Sequence, residues 1–163
     1  MGEQEIPLSM PFERSANPLQ RSAAFRTSDI EEFKNAALTG FGATSAEAFG
    51  SGDFEAHGSL VELQDIVLLS AASNSSVAVD YSEFYFVRLS IPLAGHGVTI
   101  IGKETIEINE HQSCVTSHGR STQVRCDGNH EWLNLRVKTT ALRKKLTSIL
   151  GARPNGNLQF VPV

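Results

Sequence analysis

The chain has 163 residues, enough for one globular domain with its own core. A formal net charge of -4 argues against non-specific duplex binding, which needs a broad basic face; Arg143, Lys144 and Lys145 form the one tight basic cluster. Two cysteines, Cys114 and Cys126, are too few for a disulfide scaffold or a Cys-rich zinc site, and reduced thiols in a cytoplasm are expected.

Met1 to Pro7 lacks the basic stretch and apolar core of a signal peptide, and no apolar run approaches the ~20 residues that span a bilayer, so no membrane partner is expected. Residues 1–24 are polar and carry Pro7, Pro11 and Pro18, which reads as an N-terminal arm with little regular structure. A helix follows over about 28–40. Ser28 with Glu31 makes a capping box, acidic residues fill the first turn, and Ile30, Phe33, Ala37 and Leu38 form an apolar stripe. Gly42 to Gly52 reads as a small-residue connector.

From Phe54 to Val137 the segments are short, β-branched and aromatic. Leu60 to Leu69 predicts one or two strands, and Ser73 to Ser76 a turn. In Phe84 to Leu93, Val87, Leu89, Ile91 and Leu93 share one parity while Arg88 and Ser90 share the other. Val98 to Ile101 and Glu104 to Ile108 flank Gly102-Lys103, a two-residue hairpin signal. Cys114 to Thr116, Thr122 to Cys126 and Glu131 to Lys138 complete seven or eight antiparallel strands. A final helix over about 140–150 is capped by Thr139 or Thr140, with Gly151 at its C-terminus. Many short strands with tight turns imply a barrel or jelly roll with room for one small ligand.

The five histidines, His57, His96, His111, His118 and His130, lack the His-x-His spacing of a catalytic metal site in a small barrel, so no metal and no cofactor is expected. There is no Gly-x-Ser-x-Gly elbow or phosphate-cradling glycine loop, and Cys114 has no activating cation near it in sequence. The last strand carries more. Trp132, Asn134 and Arg136 alternate with Leu133, Leu135 and Val137, placing a ring, an amide and a guanidinium in one row suited to a small ligand with a ring or an anionic group. The bland alternative is a solvated face. The following helix needs an apolar surface for Leu142, Leu146 and Ile149, which Leu133, Leu135 and Val137 supply; that phase sends the Trp-Asn-Arg row inward. A buried Arg136 then needs a carboxylate from the protein or from an effector.

Glu131 to Gly151 resembles the strand-to-helix junction that closes the effector-binding domain of AraC/XylS-type transcription regulators. Leu89-Ser-Ile-Pro-Leu-Ala-Gly95, Phe25 to Phe41 and Leu158-Gln-Phe160 are similar to further segments of that family, in the same order. Glu110-His111 departs from it, standing where the family usually has Pro-Gly. The resemblance implies a mainly β, antiparallel, jelly-roll or cupin-like barrel over 25–163 with flanking helices and no metal. It implies a small-molecule effector, with aromatic acids among the candidates, held inside the barrel. Carried over by parity, the ligand-binding set is Trp132, Asn134 and Arg136, joined by Thr122, Val124 and Leu68 from facing strands. It further implies an arm, residues 5–14, that folds over the barrel mouth, and DNA contact only through a C-terminal helix-turn-helix domain absent from this sequence. A homodimer stays open. The alternatives are a small cupin-like enzyme, an isomerase or dioxygenase, and an interaction barrel with a filled interior.

Overall fold

The computed structural model describes residues 23–156 and 158–161. The expected arm, residues 1–24, lies almost wholly outside the described residues. Among those described, the order is β1 (Ala23–Thr27), α1 (Ile30–Thr39), β2 (Ser45–Phe49), β3 (Ala56–Glu62), β4 (Ile66–Ser73), β5 (Ser76–Tyr81), β6 (Phe86–Ala94), β7 (Gly97–Ile101), β8 (Glu104–Ile108), β9 (Cys114–Thr116), β10 (Thr122–Cys126), β11 (His130–Lys138) and α2 (Thr139–Leu150).

All pairings are antiparallel and fall into two sheets: β1-β3-β4-β11-β6-β9, and β2-β5-β10-β7-β8. The fold is the expected mainly β jelly roll, built as two facing sheets rather than one hydrogen-bonded barrel. The β7–β8 hairpin turns through Gly102-Lys103 with Ile101 paired to Glu104, and Gly102 supplies the positive φ of 63° that such a turn requires. Glu110-His111 also makes a tight turn. Asn109 and Gln112 bond to each other's backbone, and the His111 N–H donates to Asn109 Oδ1.

Several expectations are corrected. The helix α1 is capped by Asp29, not Ser28: Asp29 Oδ1 accepts from the backbone of Glu31 and Glu32, and its carboxylate also suits the helix dipole. The connector around Gly42 to Gly52 contains β2, whose Ala-rich sequence has little strand propensity and is held by pairing with β5. Strands β1 and β5 escaped notice too. Thr139 caps nothing; its hydroxyl donates to the Tyr85 carbonyl, and α2 starts without a side-chain cap.

The core lies between the sheets. Phe33, Ala46, Phe54, Val77, Ile101, Ile108, Cys114, Cys126 and Trp132 are buried in one cluster. Helix α1 packs on β1 and β2, one edge strand of each sheet, and so covers the gap between them on that side. Phe25 packs edge-on to Phe41 at 5.6 Å, and Phe33 meets Phe54 at 5.5 Å. Gly58 makes room for this cluster, since a Cβ there would stand 2.5 Å from the Phe25 ring. Helix α2 meets β11 only loosely: Leu142 and Leu146 are half-buried and Ile149 is 68% exposed.

Candidate functional site

Strand β11 is central in its sheet, between β4 and β6, and it sets which side chains meet inside. Trp132 pairs with Ala71 and Pro92, Asn134 with Leu69 and Ser90, and Arg136 with Val67 and Arg88. Directly opposed residues share a face. Trp132 is 4% exposed and lines an internal cavity with Asn134, so these two face inward; Arg136 shares their face by register but does not line that cavity, its guanidinium bonding instead to the Phe41 carbonyl. On the other face Leu135 pairs with Leu68 and Leu89.

Leu68 is therefore a correction: it stands on the outer face, and its neighbour Leu69, 1% exposed, faces in. Ile66 to Leu69 is apolar at both parities, so nothing in those four residues fixes the phase. Val124 lines the cavity from the facing sheet. Thr122 is buried, and its hydroxyl accepts from Arg88 Nη2 at 2.6 Å.

The cavity measures about 70 Å³. Its wall is mostly apolar, with Val77, Val79, Val124, Phe33, Ala71 and Trp132, and its polar groups include Arg88, Ser90, Asn134, Tyr81, Ser73 and His130. That is small beside the roughly 300–1,000 Å³ of sites for drug-sized ligands, so it suits a compact molecule. A larger groove of about 400 Å³, along His96, Glu107, Asn109 and Arg125, runs over the five-stranded sheet and lacks a buried charge.

Sequence reasoning missed Arg88, which is 2% exposed. Its guanidinium lies 4.5 Å from the centre of the Tyr81 ring and 5.2 Å from that of Phe84. Arg136 donates from Nη2 to the Phe41 carbonyl at 2.6 Å and sits 5.0 Å from the Phe86 ring and 5.8 Å from Tyr81. The Ser90 hydroxyl donates to Asn134 Oδ1 at 2.7 Å. The available signal was that β6 and β11 carry matching polar rows, Arg88 with Ser90 and Asn134 with Arg136, each alternating with aliphatic residues.

Electrostatically this interior is cationic. Burial pushes both guanidiniums below their ordinary pKa; for Arg88 the Tyr81 hydroxyl opposes the shift and the charge of Arg136 adds to it. Arginine nevertheless stays protonated in proteins. The ion pairs among the described residues are Lys34–Glu31 and Lys138–Asp65, both outside this interior. Arg88 Nε, Arg136 Nε and Trp132 Nε1 are buried without a hydrogen-bond partner. His130 is buried, bonded through Nδ1 to the Asp127 carbonyl, and held below the ordinary imidazole pKa chiefly by burial. Burial raises both thiol pKa values, so Cys114 and Cys126 are poor nucleophiles. Among the described residues no three of His, Cys, Asp and Glu converge as a metal-ligand set.

Residues 33–163 match the sequence profile of the AraC-binding-like domain. The chain belongs to that family. The structure of the AraC-like transcriptional activator CuxR superposes with a TM-score of 0.61 at 11% identity, covering 78% of this chain and 51% of that one, which supports the fold. This AraC-binding-like domain thus spans about half the length of that activator. Solved structures with TM-scores of 0.46 include KdgF from Halomonas sp., at 7% identity over 51% of this chain and 80% of that one. A cupin superfamily protein from Desulfitobacterium hafniense has the same score at 10% identity, over 55% of this chain and 82% of its own. The sequence matches no curated protein at a significant level. No helix among the described residues is long and apolar enough to cross a membrane.

Proposed function

We propose that this AraC-binding-like domain is the sensing part of a cytoplasmic transcription regulator. It takes a small-molecule effector between its sheets and passes its occupancy to a DNA-binding segment elsewhere in the regulator. The supporting observation is the internal cavity: it is compact, its wall is mostly apolar, and buried polar atoms with unmet hydrogen-bonding capacity stand on or beside it. The domain catalyses no reaction in this reading. The His130 ring on the cavity wall is already engaged by a backbone carbonyl, and both thiols are held protonated.

The test is ligand-dependent thermal stability across a panel of acids, sugars and amino-acid derivatives. A ligand present at about 100 times its Kd adds roughly 2.7 kcal/mol and raises Tm. A panel member should stabilise the wild type, and filling the cavity with Val124→Phe should remove that response. A panel without any stabilising member, or stabilisation untouched by the filled cavity, would overturn the reading.

A further inference from the structure

Arg88 and Arg136 oppose each other directly across β6 and β11. Cross-strand partners of like charge repel, and here both are largely withdrawn from water. Both guanidiniums approach one ring, that of Tyr81, at 4.5 and 5.8 Å. Aromatic faces and the neutral acceptors Thr122 Oγ1 and the Phe41 carbonyl attract these cations but cancel neither charge. No carboxylate among the described residues forms an ion pair with either one.

We infer that the Arg88–Arg136 pair is an anion subsite, and that the effector is a compact carboxylate with an apolar body. The inference rests on the sensing role proposed above and specifies the chemistry of that same site. Arg88 stands on the cavity wall, 2% exposed, with a buried Nε lacking a partner; Arg136, its cross-strand neighbour, is not part of that wall, but its buried Nε lacks a partner too. A planar carboxylate matches the fork of a guanidinium and supplies the missing charge. The rest of the ligand meets Val77, Val79, Val124 and Trp132, which offer no hydrogen-bond acceptor, and the cavity of about 70 Å³ limits its size.

The experiment compares acetate, isobutyrate, isovalerate and benzoate, each against its primary amide, by thermal shift and calorimetric titration of the 163-residue chain. At least one carboxylate should raise Tm by several degrees while its amide does not. Arg88→Met should weaken that carboxylate roughly a hundredfold, as expected when one partner of a buried charge pair is removed. Arg88→Lys keeps the charge without the fork, and should recover part of the binding. In anion-free buffer Arg88→Met should melt at or above the wild-type temperature, because an uncompensated buried charge has been replaced by an apolar chain. A large fall in Tm there would mean that the protein's own groups hold the guanidinium, and would overturn the anion subsite. So would carboxylates that stabilise no better than their amides. An amide response abolished by Val124→Phe but untouched by Arg88→Met would leave the sensing cavity standing while removing the anion.

Discussion

Along β6 and β11 the two faces of the six-stranded sheet are inverted relative to an ordinary half-buried sheet. Its inner side carries Arg88, Ser90, Trp132, Asn134 and Arg136, and its outer side Leu68, Leu89, Leu133, Leu135 and Val137. An antiparallel sheet with one wet face usually hides its aliphatic row. Here Leu68, Leu89, Leu133, Leu135 and Val137 are only half-buried, Val87 alone among their paired neighbours on β6 being fully buried, and α2 sits loosely on β11, while two guanidiniums lie on the inner face. Burying charge costs stability unless a partner is supplied, so the inner row reads as recognition surface and the core is completed by Trp132, the aromatic cluster and the opposite sheet.

The comparison breaks most sharply at neighbouring positions of β11. Trp132→Ala removes a ring that is 4% exposed and borders an existing cavity, and should cost about 3–5 kcal/mol. Leu133→Ala, one residue along on the half-buried outer face, should cost about 1 kcal/mol. Urea denaturation of the two variants measures both. Equal losses would show that the outer row carries the core as much as the inner one does.

Gly58 sharpens the contrast from β3. A Cβ there would stand 2.5 Å from the Phe25 ring, 2.8 Å from the Phe41 ring and 3.1 Å from the Ser70 carbonyl oxygen. Gly58→Ala should therefore destabilise by about 1–3 kcal/mol through overpacking, visible as a lower urea midpoint. A neutral result would mean that the aromatic cluster above the inner face yields easily.

The inner face should also respond to pH, which an aliphatic row cannot do. Burial holds the His130 imidazole below its ordinary value of 6.5, against the opposing pull of the Asp127 carbonyl and carboxylate. As pH falls the unfolded chain takes up this proton first. The stability associated with neutral His130 is full above the ordinary imidazole pKa, and is lost as pH falls from there toward the depressed folded-state value. Tm measured downward from pH 7.5 should drop less steeply in His130→Asn, whose amide N–H can replace Nδ1 toward Asp127. Parallel slopes in variant and wild type would assign the acid sensitivity to other groups.

Much of the fold is legible in the sequence where pattern and turn chemistry agree. The β7–β8 hairpin, β9, β10, β11 and the Gly151 cap of α2 fall where alternation and glycine put them. Strand β2 escapes because Ser-Ala-Glu-Ala-Phe becomes a strand only through its partner β5. The inward phase of β11 follows from its strict alternation, whereas Leu68 was misplaced because its strand opens with four aliphatic residues in a row. Arg88 could not be placed from β6 alone. Its parity acquires meaning only when β6 is set beside β11, and that pairing joins residues 37 to 52 positions apart.

The smallest expected effect lies at the far end of the outer face. The alternation in β11 offers Leu133, Leu135 and Val137 as a seat for α2, and a fully docked helix would bury Leu142, Leu146 and Ile149 together. Helix α2 instead leaves β11 directly, without a capping side chain, and none of its residues is fully buried. Leu142 and Leu146 are half-covered, while Ile149 and Leu150 are 68% and 60% exposed. Burial contributes in proportion to the apolar area removed from water, so a side chain left this exposed adds little. Ile149→Ser should therefore shift stability by no more than about 0.5 kcal/mol, whereas Leu142→Ser should lower it measurably. Chemical denaturation of the pair, at protein concentrations low enough to hold any association constant, decides between a helix seated only by its first turns and one docked along its length. A large loss at Ile149 would show that the outer leucines are covered in solution by the end of α2, and the inversion between the two faces would then be weaker than the structure shows.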